Sequence, residues 1–422
     1  MKYSGIRAVM VLVFLFQAGD AFSATAIRFG KLVDGSGKVV TNAIVVVEGQ
    51  RIKAVGTSDS VIPPNSEIID LSRFTGIPGL IDMHTHIAGN AGCPSCPPPN
   101  RPPVELWYLA TQRAKQMFDV GITTVRDLGA IGMLDVALRN LINDGSIPGP
   151  RMFVSGPGLR TSFLGVNQSP EATADSPEEV ARVVRKLIAG GVDWIKIFGS
   201  TGAGQDVSGF QTFTFDEMKA AVQVTHLLGK RIAIHSYGLS GAHDAVFAGA
   251  DSLEHGPDLD DATIQEMVKR GTFWCPTIDH NRNPFGKERT PDDPVYIFGD
   301  STFKTAQRVI KAGVKIVMGV DGGGPMFASK EIPETTNRTR ELIWYVKAGM
   351  TPAQALATAT TNAAALLGKE KELGTVAPGY LADIVAVDGD PLADINVVVT
   401  KVSWVMKDGK VVVDKAHTGK SN

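Results

Sequence analysis

Six side chains that can bind a metal or transfer a proton stand at or near the ends of short apolar runs. These residues are His84, His86, Lys196, His235, His255 and Asp321. Imidazole nitrogens and carboxylate oxygens are ordinary ligands of divalent metals. The chain has only 8 histidines in 422 residues, so four at such positions indicate a shared metal site rather than separate structural roles.

The stretch "GLIDMHTHI" places His84 and His86 two residues apart after an apolar run. On a regular strand, residues i and i+2 face the same side, so both imidazoles would reach one cation. A pair of this kind is a weak signal by itself. The predicted metal site therefore depends on its combination with His235, His255 and Asp321.

Lys196 follows the apolar "VDWI" and is the unusual member of the set. An ammonium group among metal ligands repels the cations and is costly to bury. Burial and nearby positive charge favour the neutral amine. A neutral amine can add carbon dioxide to form a carbamate, an anion whose two oxygens can bridge two metals.

Short apolar strands alternate with helical patterns through the middle of the chain, and this order predicts how the six residues meet. The expected strands end near "IPGLIDMHTH", "GITTVRDLG", "RMFVSGPG", "VDWIKIFGS", "KRIAIHSYG", "ADSLEHG", "TFWCPTI" and "VKIVMGVDGG". Helices are expected over Pro103–Val120, Ser176–Ala189, Thr214–Leu228 and Asp261–Arg270. Eight such units suit an α/β fold of the (β/α)8 barrel type, in which all strand carboxyl ends share the active face. A doubly wound open sheet is the alternative, weakened because no phosphate-binding glycine fingerprint opens the series.

Both ends of the chain have a different pattern, with β-branched runs separated by Asp-Gly and Glu-Gly turns that are typical of hairpins. We expect a small β-sandwich domain built from both termini, residues 25–75 and 371–422, around a barrel of residues 76–370. Residues 1–24 have a basic start, an apolar run and small residues, the pattern of a signal peptide. The apolar run is too short to span a bilayer, so we expect export to the periplasm or medium after cleavage.

The composition excludes some partners and leaves the cysteines open. Lys plus Arg number 42 and Asp plus Glu number 44, for a net charge of −2, which gives no electrostatic basis for binding nucleic acid or an anionic membrane. Cys93 and Cys96 could form a local disulfide or remain two thiols. Cys275 follows an apolar run and is expected to pack as a small buried residue.

The motifs "PGLIDMHTH", "DWIKIFGS", "IAIHSYG", "SLEHG", "GVDGG" and "GMTPAQALATATTNAAALLG" together resemble the metal-dependent amidohydrolase superfamily, in its binuclear form with a carboxylated lysine. The resemblance covers nearly all of the expected mature chain. The nearest branch is that of exported dipeptidases and carboxypeptidases related to imidazolonepropionase, which includes enzymes that hydrolyse ochratoxin A.

The resemblance implies a ligand assignment and a mechanism. His84, His86 and Asp321 would hold one zinc, His235 and His255 the second, and carboxylated Lys196 would bridge them. Two divalent ions lower the pKa of bound water, so a hydroxide is present near neutral pH. Asp321 would accept its proton during attack on an amide and return it to the leaving amine.

Four further residues are candidates for contacts with substrate. By the resemblance, Tyr237 and His243 contact the substrate carbonyl or carboxylate, and Tyr237 could donate to the oxyanion. Many relatives have a histidine after the third strand, whereas this chain has Arg160, which could bind a carboxylate. His280 follows the seventh strand and could help shape the pocket. Asp127, after the second strand, is expected to hold a loop.

The sequence therefore predicts an exported binuclear zinc hydrolase that cleaves an amide next to a C-terminal amino acid. Dipeptides, N-acyl amino acids and ochratoxin A fit as substrates, and the resemblance implies a homo-oligomer. One alternative is a mononuclear deaminase or cyclic-imide or imidazolone hydrolase of the same superfamily. Another is a periplasmic solute-binding barrel without turnover.

Overall fold

The computed structural model describes residues 24–89, 103–164, 170–202, 207–282, 292, 294–322 and 338–417. The expected signal peptide lies outside these residues except for Ala24, and so do Cys93 and Cys96. No helix in the described ranges is both long enough and apolar enough to cross a membrane.

The described residues form strands at both ends of the chain and alternating strands and helices between them. The strands are β1 Thr25–Val33, β2 Val39–Glu48, β3 Arg51–Gly56, β4 Glu67–Pro78, β5 Leu80–Thr85, β6 Ile122–Asp127, β7 Arg151–Val154, β8 Trp194–Phe198, β9 Arg231–Ser236, β10 Ser252–His255, β11 Phe273–Cys275, β12 Ile384–Val387, β13 Val402–Lys407 and β14 Lys410–Asp414. The helices are α1 Pro103–Gln116, α2 Leu134–Asn143, α3 Pro177–Ala189, α4 Phe215–Leu227, α5 Leu239–Ala248, α6 Asp261–Arg270, α7 Ile278–Arg282, α8 Pro294–Ala312, α9 Glu341–Lys347, α10 Pro352–Thr358, α11 Thr361–Leu367 and α12 Asn396–Thr400.

The terminal strands form one sheet, as their hairpin pattern predicts. Its seven strands lie in the order β14-β13-β12-β4-β1-β2-β3. Neighbours are antiparallel except β1 and β4, which are parallel. Phe29 and Trp404 are buried in the same apolar cluster, so side chains far apart in sequence stabilise this sheet. The domain boundaries expected between the terminal β-domain and the barrel, at residues 75/76 and 370/371, stay predictions.

The central strands are parallel and fall into two hydrogen-bonded groups, β5-β6-β7 and β8-β9-β10-β11. The backbone N–H of Leu159 donates to Lys196 at 2.8 Å and connects the two groups. The eighth expected strand pairs through isolated bridges, Trp274 with Ile316 and Thr85 with Gly322. These contacts join eight segments in a cycle, which is consistent with the predicted barrel and brings the strand carboxyl ends to one face.

The helices begin where side chains can satisfy their first backbone N–H groups. Ser176 caps α3 by accepting from the backbone of Glu179. Thr214 and Glu217 form a reciprocal capping box at the start of α4. The helix expected over Pro103–Val120 becomes α1 followed by a 3-10 turn, which ends at Gly121 in the left-handed conformation.

Candidate metal centre and active site

The structure brings the six predicted ligands to one place at the carboxyl ends of the strands. The Asp321 carboxylate lies 3.2 Å from Nε2 of His86 and 3.7 Å from Nε2 of His84. His255 Nε2 lies 3.9 Å from the other oxygen of Asp321. The rings of His235 and His255 have centroids 4.6 Å apart. These groups are therefore close enough to share metal ions.

Lys196 completes this group from β8. Its Nζ atom lies 3.5 Å from Nε2 of His84, and the side chain is fully buried. Burial lowers the pKa of Lys196 to about 8. A substantial neutral fraction near that pH is what carbamate formation requires.

The ring nitrogens of three histidines show which atom faces the centre. Nδ1 of His84 lies 2.7 Å from the Glu254 carboxylate, and Nδ1 of His86 lies 3.0 Å from the Gly129 carbonyl. Because these partners are acceptors, we infer that Nδ1 carries the hydrogen and that Nε2 keeps its lone pair. Nδ1 of His255 meets the Thr277 hydroxyl at 2.7 Å. This outer bonding is characteristic of metal-binding imidazoles.

His235 provides a direct test of whether the site suits a metal. Its Nε2 atom is buried and has no hydrogen-bond partner within the described residues. A buried polar atom without a partner is unfavourable, and a metal would satisfy this nitrogen. Burial also lowers the pKa of His235 and His255 well below the ordinary value. Neutral imidazoles, an ionised carboxylate and a modifiable lysine fit a pair of divalent ions.

Asp321 stays ionised in spite of its burial. Burial acts to raise its pKa, but His280, His84 and His86 hold it well below the usual range. Its backbone is left-handed, with φ of 49°, and so is that of His255, with φ of 70°. Such conformations are uncommon outside glycine and mark sites where surrounding contacts hold the chain.

Glu254 and Arg126 support the metal centre and were missed in the sequence. Arg126 donates to the Glu254 carboxylate at 2.7 Å and to the Met83 carbonyl at 2.7 Å. The Ser252 hydroxyl also donates to Glu254 at 2.6 Å. Burial acts to raise the pKa of Glu254, but Arg126 and His84 lower it. The sequence signal that could have identified Glu254 was a charged residue directly before His255 on an otherwise apolar strand.

Tyr237 lies in the site, and His243 lies on the helix that follows it, α5. The Tyr237 ring is buried, 5.1 Å from the ring of His235 and 4.7 Å from that of His255. His243 has a side chain that is 39% exposed, lies 3.1 Å from Asp244 and stacks on Phe247. Among the described residues, its hydrogen-bond and ring contacts do not reach the six ligands, so its catalytic role stays a prediction.

The two expected substrate-binding residues both border the metal centre. The Arg160 guanidinium lies 4.0 Å from the ring centroid of Phe198, and that ring lies 5.6 Å from the ring of His235. Nε2 of His280 lies 3.3 Å from the Asp321 carboxylate. The structure thus places a half-buried cation and a further imidazole beside the ligands.

Two other expectations are confirmed by contacts outside the ligand set. Asp127 accepts from the Thr85 hydroxyl at 2.7 Å and from the Ile87 backbone at 2.6 Å, so it holds the turn that carries His86. Cys275 is a buried thiol that packs under the centre.

Comparison with known proteins gives the family. The model of the amidohydrolase family matches residues 75–412. An ochratoxinase from Aspergillus niger is 29% identical over 451 aligned residues, covering 93% of this chain and 87% of that protein. An imidazolonepropionase from Fusobacterium nucleatum subsp. nucleatum is 22% identical over 440 aligned residues, covering 95% and 98%.

A solved structure agrees with these sequence matches. The crystal structure of a Xaa-Pro dipeptidase with bound methionine in its active site superposes with a TM-score of 0.82 at 31% identity, covering 92% of this chain and 99% of that one. These findings confirm the family resemblance read from the motifs. With its parallel strands, terminal sheet and converging ligands, the chain belongs to the amidohydrolase family.

Proposed function

We propose that this protein is a binuclear zinc hydrolase that cleaves the amide bond preceding a C-terminal amino acid. The observation that carries the proposal is the convergence of the six candidate ligands. One of them, His235, has a buried Nε2 atom without a hydrogen-bond partner among the described residues. His84, His86 and Asp321 would hold one ion, and His235 and His255 the other. Lys196, as a carbamate, would bridge them.

Zinc at this site would supply a hydroxide near neutral pH and a Lewis acid for the substrate carbonyl. The chain contributes the proton transfer. Asp321, kept ionised by its neighbours, accepts a proton as the nucleophile attacks and passes it to the leaving amine. Tyr237, directly after β9, lies beside His235 and His255 and would contact the substrate.

Arg160 supports a substrate that ends in a carboxylate. Its guanidinium stacks on Phe198 beside the centre, and a planar guanidinium can bind a carboxylate through two parallel hydrogen bonds. The similarity to an ochratoxinase and to a Xaa-Pro dipeptidase with bound methionine supports amides of amino acids. Dipeptides, N-acyl amino acids and ochratoxin A are the substrates we propose.

A substrate screen tests this function. Zinc-loaded protein would be assayed against dipeptides, N-acyl amino acids and ochratoxin A, with the matching amino acid amides, which lack a carboxylate, as controls. We expect hydrolysis of the carboxylate forms and weak activity on the amides. Absence of hydrolysis in protein that holds two zinc ions per chain would refute the proposal, and one ion per chain would favour a mononuclear hydrolase.

Export and self-association are further parts of the proposal. The basic, apolar and small-residue segments of residues 1–24 support secretion with cleavage. N-terminal sequencing of protein from the periplasm or medium tests this. Light scattering tests for a homo-oligomer.

A further inference from the structure

Tyr237 is held by a hydrogen bond whose direction can be worked out. Its hydroxyl lies 2.8 Å from Oδ1 of Asn281, a fully buried residue of α7. The phenol ring stacks on Phe298, with centroids 4.9 Å apart and planes 6° apart. The phenol is therefore held by this hydrogen bond together with aromatic contacts to Phe298, His235 and His255.

The neighbours of Asn281 determine which way its amide points. Its Nδ2 atom lies 3.4 Å from the Pro276 carbonyl and 3.4 Å from the Thr302 hydroxyl. The carbonyl only accepts, and the Thr302 hydroxyl uses its hydrogen on the Phe298 carbonyl at 3.1 Å. Both neighbours thus accept from Nδ2, which leaves Oδ1 for the phenol. Tyr237 must be the donor in this bond.

The short helix α7 that carries Asn281 is anchored from α9. The buried Glu341 carboxyl group accepts from the backbone N–H groups of Ile278 and Asp279, at 2.8 and 2.7 Å. The Asp279 side chain in turn accepts from Arg340 and from the indole of Trp344, at 2.8 and 2.9 Å. Asn281 therefore has little freedom to follow the phenol if the phenol moves.

We propose that Asn281 is a positioning residue, which acts on turnover through Tyr237. It accepts the hydrogen bond of a phenol whose ring lies 5.1 Å from that of His235 and 4.7 Å from that of His255. This inference rests on the proposed function, because it assumes that Tyr237 contacts the substrate. It also refines that role, since Tyr237 must release Asn281 before it can donate to an oxyanion.

A double-mutant cycle tests the proposal. Asn281→Leu would be made alone and together with Tyr237→Phe, and kcat and KM would be measured on the best substrate of the screen. We expect Asn281→Leu alone to lower kcat/KM by about five- to tenfold, because the phenol loses the hydrogen bond that places it at the centre, and this loss of position outweighs the easier release of its hydrogen. Asn281→Leu should change the same kinetic parameter, kcat or KM, that Tyr237→Phe changes. Added to Tyr237→Phe, it should cost less than about twofold.

The controls separate positioning from packing. Thr305→Val removes another buried hydroxyl of α8, one that donates to the Pro257 carbonyl at 2.8 Å, and we expect it to keep activity. An equal loss from Asn281→Leu with and without Tyr237→Phe would overturn the proposal, and so would an equal loss in Thr305→Val. If Asn281→Leu does not fold, Asn281→Ala takes its place.

The same cycle measured by thermal unfolding does not need a substrate. If the wild type hydrolyses no amide, the proposed function fails. Changes in the free energy of unfolding that are not additive between the two substitutions would still show that Asn281 stabilises Tyr237. Additive changes would contradict that contact.

Discussion

The Oε2 atom of Glu254 lies 2.7 Å from Nδ1 of His84, and both side chains are buried. The other oxygen of Glu254 binds Arg126 at 2.7 Å. A carboxylate that accepts from Nδ1 fixes the tautomer of the imidazole and makes Nε2 a better ligand. The charge of Arg126 keeps Glu254 ionised in this buried position.

We expect Glu254→Gln to lower zinc affinity about 10- to 100-fold, because the neutral amide no longer strengthens His84 as a ligand. The measurement is zinc retained after dialysis against increasing chelator. Glu178→Gln, at an exposed position on α3, is the matched control and should retain zinc like the wild type. Equal retention by the two variants would show that Glu254 does not support the centre.

His280→Asn should lower kcat about tenfold without loss of metal, since His280 contacts Asp321 but is not an expected ligand. Burial acts to raise the pKa of Asp321, and His280 is the main group that lowers it. Without His280 the pKa of Asp321 rises. The loss of activity on acidification should therefore begin at a higher pH in the variant than in the wild type. His226→Asn, on the exposed face of α4, should leave the pH profile unchanged. Loss of metal from His280→Asn would instead indicate that His280 is itself a metal ligand.

Zinc uptake by metal-depleted protein should become faster as the pH rises through about 8, and bicarbonate should accelerate it. The cause is the lowered pKa of Lys196, about 8, which results from burial. The amine is protonated below this pH and neutral above it, and only the neutral form adds carbon dioxide. Rates of zinc binding at several pH values, with and without bicarbonate, test this. Lys196→Met should show no bicarbonate effect, and the same effect in that variant would contradict the carbamate model.

The carboxyl group of Glu341 should make the protein less stable as the pH rises. Burial raises its pKa to about 8 from the ordinary value of 4.5, so the folded state holds its proton more tightly than the unfolded state does. The contribution to the free energy of unfolding is complete below about pH 4.5 and declines up to about pH 8. In Glu341→Gln this decline is absent. The Tm of Glu341→Gln minus the Tm of the wild type should therefore be larger at pH 8 than at pH 5. An equal difference at both pH values would contradict the raised pKa of Glu341.

Local sequence patterns predict which side chains are candidate ligands. His84 and His86 alternate on one strand, and Lys196, His235, His255 and Asp321 follow apolar segments of similar length. In a parallel fold, strand ends meet on one face, so local patterns suffice to predict which side chains converge. Helix starts were equally local, because residues such as Ser176 and Thr214 cap the turn that follows them.

The partners that hold these groups in place depend on the tertiary structure. Glu254 meets His84 across 170 positions of sequence, and Asn281 meets Tyr237 across 44. No periodicity links such pairs, because their distance depends on how strands and helices pack after the sheet is formed. The same holds for Arg160, whose place beside the centre depends on its packing against Phe198, and for His243, whose contacts with Asp244 and Phe247 do not reach the ligands. Short-range alternation sets the direction of a side chain, whereas its partners are set by closure of the fold around it.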